Sequence, residues 1–196
     1  MEAGTMLALV DVLRAAATQD APAIGHDTLQ DAAWRRWTAA GHDALARDEH
    51  AEAMECYRRS LEEAETIFAA AMAGGTPFLA PMTYNIACIN MANALVRTGN
   101  RRGGRDWLLQ AAGRLVAAAG SASTPIALRI NCLRHCAYPL AVLERDLPEQ
   151  GDAADLAPLL ARRREAATLV SRVVGCLPLM RENCDRTAPP VRGEAN

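Results

Sequence analysis

Residues 37–61 read WTAAGHDALARDEHAEAMECYRRSL, and the spacing in this stretch decides the fold. Trp37, Gly41 and Ala44 recur at i, i+4 and i+7, which puts them on one side of a first helix. Ala53, Tyr57 and Ser60 recur in the same way on a second. Between the two lies Arg47-Asp48-Glu49-His50, a polar turn that folds one helix back on the other. Gly41 and Ala53 are small enough for a close approach of the two helices. Trp37 and Tyr57 are the large knobs expected to fill the space beside them.

A second, weaker copy follows. Cys88, Met91-Ala92 and Leu95 repeat the first-helix pattern, Gly99-Asn100 makes the turn, and Gly104, Leu108 and Ala111 repeat the second helix. From Gly41 to its counterpart Ala92 is 51 residues. The first hairpin resembles a tetratricopeptide repeat, whose signature has Trp, Leu-Gly and Tyr on one helix, then Ala and Phe on the next, with a period of about 34 residues. Ala40 and Ala44 stand where that family has Leu and Tyr, and the closing Pro is absent. The excess length lies between Leu61 and Tyr84, at the junction between units, where such repeats tolerate insertions. The resemblance covers residues 28–119. It implies an all-α array of antiparallel helical hairpins with a capping helix pair.

In the tetratricopeptide family, ligands lie along the concave face formed by the first helix of each hairpin. Carried onto this chain, that face presents Arg35, Thr38 and His42 from the first unit and Asn90, Asn93 and Arg97 from the second. Asn and Arg at helical spacing suit the backbone of an extended peptide, or a carboxylate. Asn90 matches an asparagine with which some family members clamp a C-terminal carboxylate. Thr38 and His42 replace the partners such clamps use on the preceding unit. The resemblance therefore implies a non-catalytic module for a protein or peptide partner, without cofactor, and leaves a homodimer open.

A competing reading comes from Cys132-Leu-Arg-His135-Cys136, whose offsets of three and four place two thiols and an imidazole on one helical face. With Cys88 from another helix this set would suit a soft metal. Against it, Cys132 and Cys136 also continue an apolar stripe with Leu128 and Leu143, where cysteine behaves as a small hydrophobe. His26-Asp27 and His42-Asp43 resemble the dipeptide of all-helical metal phosphohydrolases, but four scattered histidines do not supply the further ligands those enzymes need. Gly99–Gly104 joins two helices of a hairpin, not a strand to a helix, so it does not read as a phosphate cradle. The sequence contains no G-x-S-x-G, no H-E-x-x-H and no dinucleotide fingerprint.

Composition narrows the classes further. All 21 basic residues are arginine, which reads as a GC-rich, bacterial genome, and the net charge is −2 with signs interspersed. A nucleic-acid footprint would need a basic surplus on one face. Aromatics make up only 4% of residues, and no run alternates β-branched residues with turns. The apolar stretch at Met6–Val10 lacks a basic leader and is interrupted by Asp11 and Arg14, so it reads as part of an amphipathic helix near 4–18. No segment reaches the length of a bilayer span. Six cysteines within helical patterns suit a reducing compartment, and the expected location is cytoplasmic, with no membrane or nucleic-acid partner.

Along the chain, helices are expected near 28–46, 50–73, 82–98 and 101–119. Another starts at Pro125, with a stripe of Ile126, Ile130, Leu133, Ala137 and Leu140 and a bend at Pro139, and a last long one follows Asp152 with Arg162-Arg163-Arg164 facing water. Residues 1–182 are read as a single helical domain and 183–196 as a disordered, polar tail.

Overall fold

The computed structural model describes residues 31–74, 79–145 and 152–187. Among these the chain is all helical: α1 (Ala32–Ala46), α2 (His50–Met72), α3 (Ala80–Arg97), α4 (Arg101–Gly120), α5 (Ile126–His135), α6 (Ala137–Arg145) and α7 (Asp152–Thr187). The expected helix near 4–18 lies outside the described residues, as do residues 188–196 of the expected tail. Residues 183–187 continue α7.

The α1–α2 pair is antiparallel. Gly41 lies under the Tyr57 ring, and Thr38 meets Ser60, with the two hydroxyl oxygens 2.7 Å apart. As α1 retreats by three residues, α2 advances by three. A Cβ added at Gly41 would sit 2.6 Å from Tyr57 Cδ1 and closer still to Cε1, so the absence of a side chain there is what lets the ring lie flat against α1. Trp37 is not the buried knob of this pair. It is half-buried at the surface, with the guanidinium groups of Arg36 and Arg59 at 4.9 and 4.6 Å from its ring centroid, while Trp34, one turn earlier, joins the core.

The turn after α1 returns, 51 residues on, after α3. Asp48 N–H donates to Leu45 O and Glu49 N–H to Ala44 O; Gly99 N–H donates to Val96 O and Asn100 N–H to Leu95 O. This pair of bonds is the Schellman arrangement, which satisfies carbonyls left over at a helix end. It needs a left-handed residue, supplied by Asp48 (φ 59°) and Gly99 (φ 85°). The residues that follow match too: Glu49 at φ −83°, ψ 67° and Asn100 at φ −84°, ψ 69°. Each then opens the next helix. Asn100 adds a side-chain cap, its Oδ1 accepting from Gly103 N–H at 2.9 Å.

Packing proceeds from α1 to α2, α2 to α3 and α3 to α4, and α5, α6 and α7 all close on α4. The largest fully buried side chains are Tyr57, Tyr84, Phe68, Leu115 and Leu143, which trace the core from α2 through to α6. Arg129 of α5 is buried and its Nε donates to Ala119 O at 2.8 Å, sealing the carbonyl end of α4 with a cation.

The helix after Pro125 is broken one turn earlier than Pro139 itself. α5 ends at His135 and α6 begins at Ala137. A proline clashes with the carbonyl four residues before it and offers it no N–H, and for Pro139 that carbonyl belongs to His135. The core-facing stripe here is Leu128, Cys132, Cys136, Leu140 and Leu143, all buried, whereas Ile130 is 38% exposed. On the other stripe only Ile130 is exposed; Ile126, Leu133 and Ala137 are half-buried, and Leu140 is shared with the core.

Candidate functional site

α3 is enclosed on most sides, and twelve of its residues are buried. What stays open is a strip at i, i+4, i+11 and i+15: Met82, Ile86 and Asn93 are half-buried and Arg97 is exposed. Its Arg97 end approaches Tyr57 of α2. The His42 ring stands edge-on to the Tyr57 ring, with centroids 5.7 Å apart and planes at 68°. Burial pushes the Tyr57 phenol well above its usual range, and the nearby Arg97 charge pulls the other way. His42 and Arg97 therefore both lie near Tyr57, at the end of the α3 strip that also holds Asn93.

The other three residues assigned to the face lie elsewhere. Thr38 is buried between α1 and α2 and spends its hydroxyl on Ser60, so it is a packing contact of the hairpin and not a ligand-facing group. Arg35 is exposed and tied along its own helix to Asp31, through Nε at 2.8 Å and Nη2 at 2.6 Å. Asn90 is only 8% exposed, and its Nδ2 makes no hydrogen bond within the protein. A buried amide donor without a partner is costly. It lies one turn inside Asn93 on the α3 surface.

The cysteines are core residues. Cys88, Cys132 and Cys136 are fully enclosed, and burial pushes the thiols of Cys88 and Cys132 up to about 12 and that of Cys136 upward as well. Burial and the neighbouring Arg134 lower the His135 pKa. Thiols held in this state are poor nucleophiles and poor ligands at neutral pH. Among the described residues no three His, Cys, Asp or Glu side chains come together so as to hold a metal ion, so the set Cys88, Cys132, His135 and Cys136 has no geometric support.

The structure also gathers residues that the sequence did not single out. Arg114 of α4 pairs with Glu65 of α2 at 3.0 Å while lying over the rings of Tyr84 (4.7 Å) and Phe68 (5.3 Å). Those rings stack at 5.3 Å. One guanidinium so joins three helices through charge and cation–π contact. A shallow crevice of about 320 Å³ between α4 and α7 is lined by Val116, Gly120, Arg162, Glu165 and Leu169 among others. No local sequence signal could have paired positions 49 residues apart, such as Glu65 and Arg114.

A family model described as Protein of unknown function (DUF2753) matches residues 32–170. The chain belongs to the DUF2753 family. The DUF2753 match starts at the first residue of α1 and stops at Val170, the last residue of α7 that is buried among those described. The DUF2753 region thus coincides with the packed body. No curated protein and no solved structure matches this DUF2753 chain. No helix among the described residues is long and apolar enough to cross a membrane.

Proposed function

We propose that the chain is a non-catalytic binding module that holds an extended peptide or a partner helix along the open strip of α3 and the adjoining edge of α1. The observation that carries this reading is the approach of His42 and Arg97 to Tyr57, at one end of an open strip of α3 that continues through the half-buried Asn93, Ile86 and Met82. A strip of this kind offers apolar area for a side chain and donors for a backbone or carboxylate. The repeat of one turn geometry at an interval of 51 residues supports an array of helical hairpins similar to tetratricopeptide repeats, with α5–α7 as the cap.

The test is selection of binding peptides from a displayed random library, followed by affinity measurement with variants. Asn93→Ala and Arg97→Ala should each weaken the selected peptides by roughly 5- to 150-fold, as expected when a desolvated polar contact is lost. Melting temperature should hardly move, because surface substitutions usually stay within about 0.5 kcal/mol. Arg164→Ala on α7 is the control, since Arg163, expected to face water, is half-buried beside the Cys136 thiol. Peptides lost with the control and retained by the strip variants would move the binding face to α7.

A further inference from the structure

The open strip of α3 changes its chemistry from one end to the other. Leu79, which precedes the first turn, is 42% exposed, and Met82, Ile86, Asn93 and Arg97 follow on the same side of the helix. With the enclosed Asn90 included, the steps along this side are three, four, four, three and four, the spacing by which one helix seats another. The first three side chains are apolar. Arg97 is the only charged residue of α3, and it makes no ion pair among the described residues. No carboxylate stands on the strip.

This composition selects between two kinds of partner. From Leu79 to Arg97 the strip runs about 27 Å at 1.5 Å per residue. An extended peptide of that length, about eight residues, would turn a row of backbone N–H and C=O groups toward it. α3 spends its own backbone groups inside the helix, and the strip answers with Asn93 and Arg97, both at one end. Opposite Leu79, Met82 and Ile86 the peptide backbone would lose water and gain no partner, which is costly. A helix brings its backbone already satisfied and presents only side chains, so it suits the apolar end as well as the polar one.

Arg97 sets the direction. It stands eleven residues from Ile86, roughly 17 Å along the axis. A carboxylate placed against it belongs in the partner's first turn, where the partner's own helix dipole also favours a negative charge. The partner's apolar side chains then come about three turns later, which makes it antiparallel to α3. We infer that the strip takes an amphipathic helix of another protein, antiparallel to α3, with an acidic first turn against Arg97 and apolar side chains against Ile86, Met82 and Leu79. This rests on the strip being the binding face, and adds what that face selects.

The probes are alanine-based helical peptides with leucines spaced for one face about three turns into the chain, and either glutamate or lysine in the first turn. Fluorescence anisotropy titrates them with the full chain. The wild type should bind the glutamate peptide roughly fivefold more tightly than the lysine peptide, as for one exposed ion pair, and Arg97→Glu should invert that order. Leu79→Ser should weaken both by about tenfold with the melting temperature held, since Leu79 stands in water and serine caps a helix well. A third peptide, with the leucines first and glutamate in the last turn, should bind no better than the lysine peptide. Equal binding of the first two, no inversion by Arg97→Glu, no effect of Leu79→Ser, or a third peptide as tight as the first overturns the inference. If no helical probe binds while library-selected peptides still respond to Asn93→Ala and Arg97→Ala, the strip holds something other than a helix and only the inference falls. Selected peptides indifferent to both variants would remove the strip as the binding face, and the inference with it.

Discussion

The turns at 47–49 and 98–100 follow one backbone path with different residues, and the helix pairs they join are locked in different ways. In α1–α2 the close approach is a ring on a bare backbone, Tyr57 over Gly41. In α3–α4 it is backbone on backbone: a Cβ at Gly104 would stand 2.9 Å from Ala92 O and 2.6 Å from Val96 Cγ2. Among the described residues the first pair stands at one end, with seven of the fifteen residues of α1 exposed, and the second lies inside. The difference teaches that the turn sets the topology while the glycine sets the spacing. The same hairpin can move its glycine from the first helix to the second and remain a hairpin.

The heaviest blow to this pairing would be Gly41→Leu. Tyr57 is 1% exposed and has nowhere to retreat, so overpacking should cost about 3 kcal/mol, read as a shift in urea midpoint. Unchanged stability would mean that the ring does not lie on Gly41. Gly104→Ala comes next, at about 2 kcal/mol. Adding Val96→Ala should recover only part of that loss, since the flexible methyl can be removed and the Ala92 carbonyl cannot. Full recovery would show that the second hairpin is not held backbone to backbone.

Ser60→Ala should cost about 1 kcal/mol, because it leaves the buried Thr38 hydroxyl without its partner. The double variant with Thr38→Val should be nearly neutral, and a double-mutant cycle with no coupling would break the assignment. The smallest effect has the opposite sign. Asp48 occupies a left-handed conformation that glycine adopts without steric cost, so Asp48→Gly should stabilise the fold by about 0.5 kcal/mol after its own entropy cost. Gly99→Asp should lose a similar amount. If the two exchanges had the same sign, the turns would not be equivalent.

Much of this hairpin pair was legible from local pattern. The ends of the first four helices fall close to the positions expected, because turn residues and apolar periodicity act within a few residues of each other. What escaped was set by distant neighbours. Thr38 and Asn90 read as groove residues on a helical wheel, but Ser60 claims the first and the packing of α2, α4 and α5 around α3 encloses the second. Trp34 and Trp37 are equally apolar in sequence, yet the first is buried and the second lies half-buried beside two arginine guanidiniums. His42 and Arg97 are exposed and Asn93 is half-buried, and a helical wheel is enough to set these three apart from the enclosed residues of their helices. Two stripes competed in the helix after Pro125, and α4, which settles between them, lies outside that stretch of sequence.

The buried thiols carry a consequence for watching the molecule move. Cys56 sits in α2, Cys88 in α3 and Cys132 in α5, each enclosed and each with its thiolate disfavoured by burial, while Cys176 stands in water on α7. A thiol reagent would meet Cys176 at once and the others only when their helices part. The slow labelling rates of Cys56, Cys88 and Cys132 would then be separate clocks, timing how often α2, α3 and α5 open.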